Sequence, residues 1–333
     1  MKELPRQYAG PGLVDLQLNG YAGLDFNDPA EKWSARELHR VRERLRRRGV
    51  VAALPTLVTS DPEAMIARAR RYAELVSADE ALASTFPKLH IEGPFLSASD
   101  GPRGAHPRRW CRTPAEMPDF LDRMVEASGN RVALVTVAPE LPGAIDLIRR
   151  CAAMGICPAV GHTEATPAQL DQAVAAGARM STHLGNGSHQ MLPRLDNYVQ
   201  HQLADDRLFA GFIADGHHMP FTTLKNFLRA KTPARSILVT DATAAAEMGP
   251  GRFMLAGGMV EVTPEGRCAR PGEPNLAGSA LTLDRAVINA ALHCGVTFDR
   301  AWTMASTTPA KLVGLPTPHS VTVAITEQGF QTG

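Results

Sequence analysis

Eight short apolar runs recur along the chain, each followed by a stretch with helical periodicity. The runs are GLVDLQL (12–18), VVAALPTLV (50–58), PKLHIEG (87–93), VALVTVA (132–138), ICPAVGH (156–162), RMSTHLG (179–185), LFAGFIAD (208–215) and SILVTDA (236–242). This βαβα rhythm predicts a parallel sheet with helices outside it. Eight units is the number that closes a (β/α)8 barrel, so the expected fold is an α/β barrel of that type.

Helix start signals fall in the intervals. Ser34-Ala35-Arg36-Glu37 and Thr113-Pro114-Ala115-Glu116 read as capping boxes, the second with proline at the first helical position. Asp61-Pro62-Glu63 and Thr166-Pro167 use the same cap-then-proline device. The first helix, 35–48, carries a basic run that reads as a solvated outer face ending in cations that suit the helix dipole. After the eighth run, the Gly/Pro-rich stretch 247–280 contains FMLAGGMVEVTPEG, which predicts a hairpin inserted before a final barrel helix over 281–295. A further helical piece is expected over 298–313, and the tail SVTVAITEQGF predicts one or two strands. The expected organisation is one barrel domain over 11–313, with 1–10 and 314–333 as short terminal pieces.

Composition narrows the functional classes. A chain of 333 residues accommodates a barrel of about 250 residues plus insertions. The formal net charge of +1 provides no overall field for nucleic acid or an anionic membrane, so an anionic ligand must be held by a local site. The five cysteines show no C-x-x-C spacing, which fits a reduced, cytoplasmic setting better than a disulfide framework. No secretory h-region is visible, and no apolar run approaches the roughly 18 residues that suggest a membrane span.

Barrel enzymes place their chemistry at the C-terminal ends of the strands. Here polar residues gather at those ends: Gln17 and Asn19, His90 and Glu92, His162, His183, Asp215 to His218, and Thr240-Asp241. Glu92, His162 and His183 supply one oxygen and two imidazole nitrogens. Three protein ligands with an open fourth position make a catalytic site of the zinc type. Asp241 is the candidate acid/base, able to accept a proton from water and return it to a leaving nitrogen. A helix N-cap or loop anchor is the plain structural alternative for Asp241.

The motifs PGLVDLQLNG (11–20), HIEGPF (90–95), GHTEAT (161–166), THLGN (182–186), IADGHH (213–218), LVTDAT (238–243) and NLAGSALTL (275–283) occur in the order seen in N-acetylglucosamine-6-phosphate deacetylases. The chain resembles that family of the amidohydrolase superfamily over roughly 300 residues. The resemblance implies hydrolysis of the acetamido group of N-acetylglucosamine 6-phosphate, with Glu92, His162 and His183 as metal ligands and Asp241 as general base and acid. Many amidohydrolases carry His-x-His after the first strand to hold a second metal. Gln17 and Asn19 occupy those positions here, so a single divalent ion, zinc first, is expected; iron, cobalt or manganese would also suit the ligands. The resemblance further implies substrate contacts from His106, Asn186, the Gly187 backbone, Arg194 and His218. It implies an amino-sugar partner, phosphorylated, and a homodimer.

The likeness frays in three places. Only ten residues precede Pro11 and the tail is short, so the family's small β-sandwich is expected to be absent or vestigial. THLGNGSHQMLPRLDN departs from the family's Thr-His-Leu-x-Asn-Ala-Met at the phosphate loop. Two adjacent histidines, His217 and His218, leave the substrate contact to register alone. Another N-acyl sugar, a cyclic amide, or a non-catalytic sugar-binding barrel stay open as alternatives.

Overall fold

The computed structural model describes residues 4–255, 258–272 and 276–332. Ala256 and Gly257 of the expected hairpin, and Asn275 at the head of NLAGSALTL, lie outside the described residues.

Eight parallel strands lie side by side in chain order. They are β1 (Leu13–Leu18), β2 (Val50–Val58), β3 (Leu89–Glu92), β4 (Val132–Val137), β5 (Cys157–Val160), β6 (Met180–Ser181), β7 (Phe209–Ile213) and β8 (Ser236–Val239). Each lies inside one of the eight apolar runs. The strands are shorter than the runs because the polar residues at the C-terminal ends leave the ladder and form the mouth. The first and last strands are not joined by a ladder. Their seam is closed by the Leu18–Ala242 bridge and by bonds from Asn19 N and Gly20 N to Ala242 O, each 2.9 Å.

Residues two apart on a strand share a face, so His90 and Glu92 stand one above the other. His90 is fully buried and takes part in a polar chain beneath the mouth: its Nε2 lies 2.8 Å from Thr136 Oγ1, which lies 2.8 Å from Thr182 Oγ1. Burial pushes the His90 imidazole down to about 4, so it is neutral there and serves the core.

The helices follow their sequence signals with two exceptions. The helix Ala35–Arg47 buries Leu38, Val41 and Leu45 and is capped by Ser34. Arg48, just past its end, reaches Glu247 at 2.5 Å and Asp284 at 3.4 Å, so part of the basic run is an internal clamp. Thr166 and Gln169 complete a capping box for Pro167–Ala176. Thr113 and Glu116 also exchange capping-box bonds, but only a turn forms, and the helix starts at Phe120. Pro118 disfavours helical backbone at Met117 and removes an N–H, which stops the helix from starting at 114. The expected helix over 298–313 is two, Phe298–Met304 and Thr307–Leu312. Pro309 would clash with the Ala305 carbonyl in a continuous helix.

The insertion forms a three-stranded antiparallel sheet, Gly251–Leu255, Gly258–Val262 and Cys268–Ala269, one strand more than the expected hairpin. The chain ends form another, Gln7–Pro11 with Ser320–Thr326 and Gly329–Thr332. It is held to the barrel by Phe330, stacked on Trp302 at 5.4 Å, and by the Trp302 indole N–H donating to Pro11 O at 2.8 Å. The five cysteines are free and buried. Among the described residues no helix is long and apolar enough to cross a membrane.

Candidate metal and catalytic site

Glu92 ends β3, while His162, His183 and Asp241 each stand two residues past a strand, after β5, β6 and β8. The three share an unusual backbone, with φ of +50°, +27° and +49°. Such left-handed conformations are costly for residues with a Cβ and cluster at functional sites. Gly93, which follows Glu92, has φ +93°, and a Cβ there would lie 2.0 Å from Thr59 Oγ1, so this exit requires glycine.

The three candidate ligands converge. His183 Nε2 lies 3.0 Å from Glu92 Oε1, His162 Nε2 lies 3.3 Å from the same oxygen, and the two Nε2 atoms are 3.1 Å apart. All three side chains are buried. Ligand bonds of about 2.0–2.1 Å around a tetrahedral ion require neighbouring ligand atoms about 3.3 Å apart, so this triangle has the right size. The protonation pattern supports the same reading. Pro102 O accepts from His162 Nδ1 at 2.7 Å, which leaves the lone pair on Nε2 facing the carboxylate and the second imidazole. Those electron-rich atoms repel unless positive charge, a cation or a ring proton, lies among them.

A second set, Glu92, His106 and His162, also brings ligand atoms within 4.8 Å of one another. His106 Nε2 is 3.3 Å from His162 Nε2. The set with His183 has all three edges at 3.0–3.3 Å, and its members all stand on strands or their exits, whereas His106 comes from the loop after β3. Burial, reinforced by the nearby His162, pushes His106 down to about 3, so this histidine is neutral.

Burial alone would raise the Glu92 carboxyl, but hydrogen bonds from His162 and His183 outweigh it and hold it well below the ordinary range. His183 is raised: its bond to Glu92 and the Glu92 charge overcome the effect of burial. Asp241 is raised by burial and then by the Glu92 charge.

Gln17 links the two carboxylates. Its Nε2 donates to Glu92 Oε1 and to Asp241 Oδ1, both at 3.0 Å, and Asn19 Nδ2 donates to Asp241 Oδ1 at 2.6 Å. The pair that stands in the His-x-His positions therefore binds the candidate base through neutral amides.

The remaining candidates are placed less uniformly. His218 Nδ1 is held by Asp215 Oδ2 at 2.6 Å, and the ring lies within electrostatic reach of Asp241. His217 points elsewhere, its Nε2 bound to Glu265 O at 2.9 Å. This geometry favours His218 over His217 as the histidine of the mouth. Asn186 folds back, its Nδ2 donating to His183 O at 3.2 Å. Gly187 lies against the His162 ring; a Cβ there would sit 2.6 Å from His162 Nδ1. Arg194 is exposed on the loop after β6 and is not drawn into the cluster.

Sequence reasoning gave Asp215 no orienting role behind His218, and it missed the Pro102 carbonyl behind His162 and Asp15 beneath Asp241. It also missed a brace across the mouth. His189 binds the Tyr198 hydroxyl through N and Nδ1, at 2.9 and 3.0 Å, and lies 3.7 Å from Glu164, which accepts from Ser97 and Ser99. Only Asp215 carried a signal, its position beside the paired histidines.

An eight-stranded barrel with a carboxylate and imidazoles gathered at its C-terminal mouth defines the amidohydrolase class, whose members depend on metal. The N-acetylglucosamine-6-phosphate deacetylase of Bos taurus is 36% identical over 315 residues, covering 92% of this chain and 74% of the relative. The N-acetylgalactosamine-6-phosphate deacetylase of Escherichia coli O157:H7 is 33% identical over 306 residues, covering 92% and 78%. The chain belongs to the N-acetylglucosamine-6-phosphate deacetylase family. A solved mutant of the Mycobacterium smegmatis enzyme, in complex with N-acetyl-D-glucosamine-6-phosphate, superposes with a TM-score of 0.84 at 30% identity, covering 97% of this chain and 84% of that one. No family model matches the chain.

Proposed function

We propose that this protein hydrolyses the acetamido group of N-acetylglucosamine 6-phosphate, giving glucosamine 6-phosphate and acetate. The observation that carries the reading is the triangle of Glu92, His162 and His183, with edges of 3.0–3.3 Å, beside a carboxylate at the exit of β8. Those three residues would hold one divalent cation, zinc first, since imidazole nitrogen and carboxylate oxygen are its preferred donors after thiolate. Such a cation supplies Lewis-acid polarisation of a carbonyl and a water acidified towards about pH 7.

The protein's own groups do the rest. Asp241 takes a proton from the attacking water and delivers it to the sugar nitrogen as the C–N bond breaks. Gln17 and Asn19 both bind Oδ1, which leaves Oδ2 to carry that proton. His106 and His218 supply hydrogen bonds to the sugar, His218 with its ring fixed by Asp215. Arg194, with Asn186 and the Gly187 backbone, takes the 6-phosphate; a guanidinium can grip phosphate bidentately.

Asp241→Asn tests the reading. The variant is expected to keep its metal and lose about 10³-fold in kcat, the middle of what general acid–base catalysis contributes. The assay runs N-acetylglucosamine and N-acetylgalactosamine, each with and without 6-phosphate. A fully active variant removes Asp241 from the mechanism, and turnover indifferent to the phosphate removes the phosphorylated substrate.

A further inference from the structure

Asp15 is a carboxylate inside an apolar strand. It is 1% exposed, and of the three hydrogen bonds its side chain accepts, two cross the seam between β1 and β8 and one is local to β1. Oδ2 accepts from the Thr240 hydroxyl at 2.5 Å, and Oδ1 accepts from Thr240 N and Gln17 N, each at 3.2 Å. Next along the chain, Asp241 N donates to Gln17 O at 3.0 Å, and Ala242 N donates to Thr240 Oγ1 at 3.2 Å. The two edge strands share no ladder, so these bonds join the Leu18–Ala242 bridge and the Asn19 N and Gly20 N bonds to Ala242 O in fixing β8 against β1 at the level of the site.

The consequence falls on Asp241. Its side chain is aimed by Gln17 and Asn19, both on β1 or its exit, while its backbone belongs to β8 and is held at φ +49°. A slip of one strand edge against the other would move the carboxylate relative to the amides that aim it. We propose that Asp15 and Thr240 form a positioning pair that holds the Asp241 carboxylate in register across the barrel seam. The pair touches neither substrate nor metal and acts through Asp241, so the inference rests on the role proposed for Asp241.

Thr240→Val removes the hydroxyl at nearly constant shape. It is expected to lower kcat about 30-fold, within what a displacement of an ångström costs a catalytic group. KM and the metal content per chain stay near those of the parent. Thr240→Ser keeps the donor and stays within about threefold of the parent. Asp15→Asn also stays within that range, because the amide oxygen accepts from both N–H groups and the Thr240 hydroxyl can turn to Gln17 O, 3.2 Å away. In an Asp241→Asn background, Thr240→Val costs nothing further, since contacts that act through one residue are not additive. If Thr240→Val gives no folded protein, Thr240→Ala carries the same test. A Thr240→Val enzyme as fast as the parent overturns the proposal. So does a loss that merely follows lost metal, or a loss that recurs undiminished without the Asp241 carboxylate. Those failures leave the role of Asp241 standing; only an active Asp241→Asn enzyme removes that role.

Discussion

Burial pushes the Asp15 carboxyl from 3.8 up to about 7, against the hydrogen bonds from Thr240 and Gln17. Between those values the folded chain keeps a proton that the unfolded chain has released. Stability is therefore fully present below the unfolded pKa, falls as pH rises from about 4 to 7, and stays at the lower level above that. Asp15→Asn removes this titration. The stability difference between variant and parent is expected to shift in favour of the variant by up to about 4 kcal/mol between pH 4 and pH 8, at 1.36 kcal/mol per pKa unit. Urea unfolding of both proteins across that range measures it, and a difference that does not change with pH would contradict the buried-carboxyl account. At the same scale, His90 and His106, held down to about 4 and 3, are neutral at working pH. They meet their neighbours as uncharged imidazoles.

At the scale of elements, the site depends on strand exits that bend the backbone into the left-handed region and on helices that begin soon after. Thr166 caps the helix that follows the His162 exit, with the reciprocal Gln169 bond present. Thr166→Ala is expected to cost about 1 kcal/mol of stability while Thr166→Ser costs little. Chemical denaturation reads this directly, and an unchanged alanine variant would show that the cap carries no stability. The same comparison shows what a sequence reveals. The eight strands were legible because burial on both faces leaves continuous apolar runs. Glu92, His162, His183 and Asp241 were legible because each closes such a run. The Thr113 box was misleading because a local cap cannot outweigh Pro118 a few residues on. The split at Ser306 depends in the same way on Pro309. His217 and His218 look alike in sequence; what separates their surroundings is the Glu265 carbonyl, 48 residues on, and the Asp215 carboxylate. Asp15 was hidden because a carboxylate that closes a seam looks, in sequence, like an interruption of an apolar strand.

For the whole molecule, the barrel brings side chains from six strand ends, those of β1, β3, β5, β6, β7 and β8, to one mouth. Two small sheets brace it, the insertion after β8 and the pairing of the chain ends. Arg48 ties the first helix to Glu247 and Asp284, and Phe330 N donates to Asp284 Oδ2 at 2.8 Å, so the terminal sheet and the start of the last barrel helix share one clamp. The account as a whole stands on a single divalent ion at the mouth. An anomalous difference map from a crystal of metal-loaded protein tests that claim most directly. The account predicts one peak, about 2.0–2.2 Å from Glu92 Oε1, His162 Nε2 and His183 Nε2. Two peaks, or one peak bound by His106 in place of His183, would contradict it.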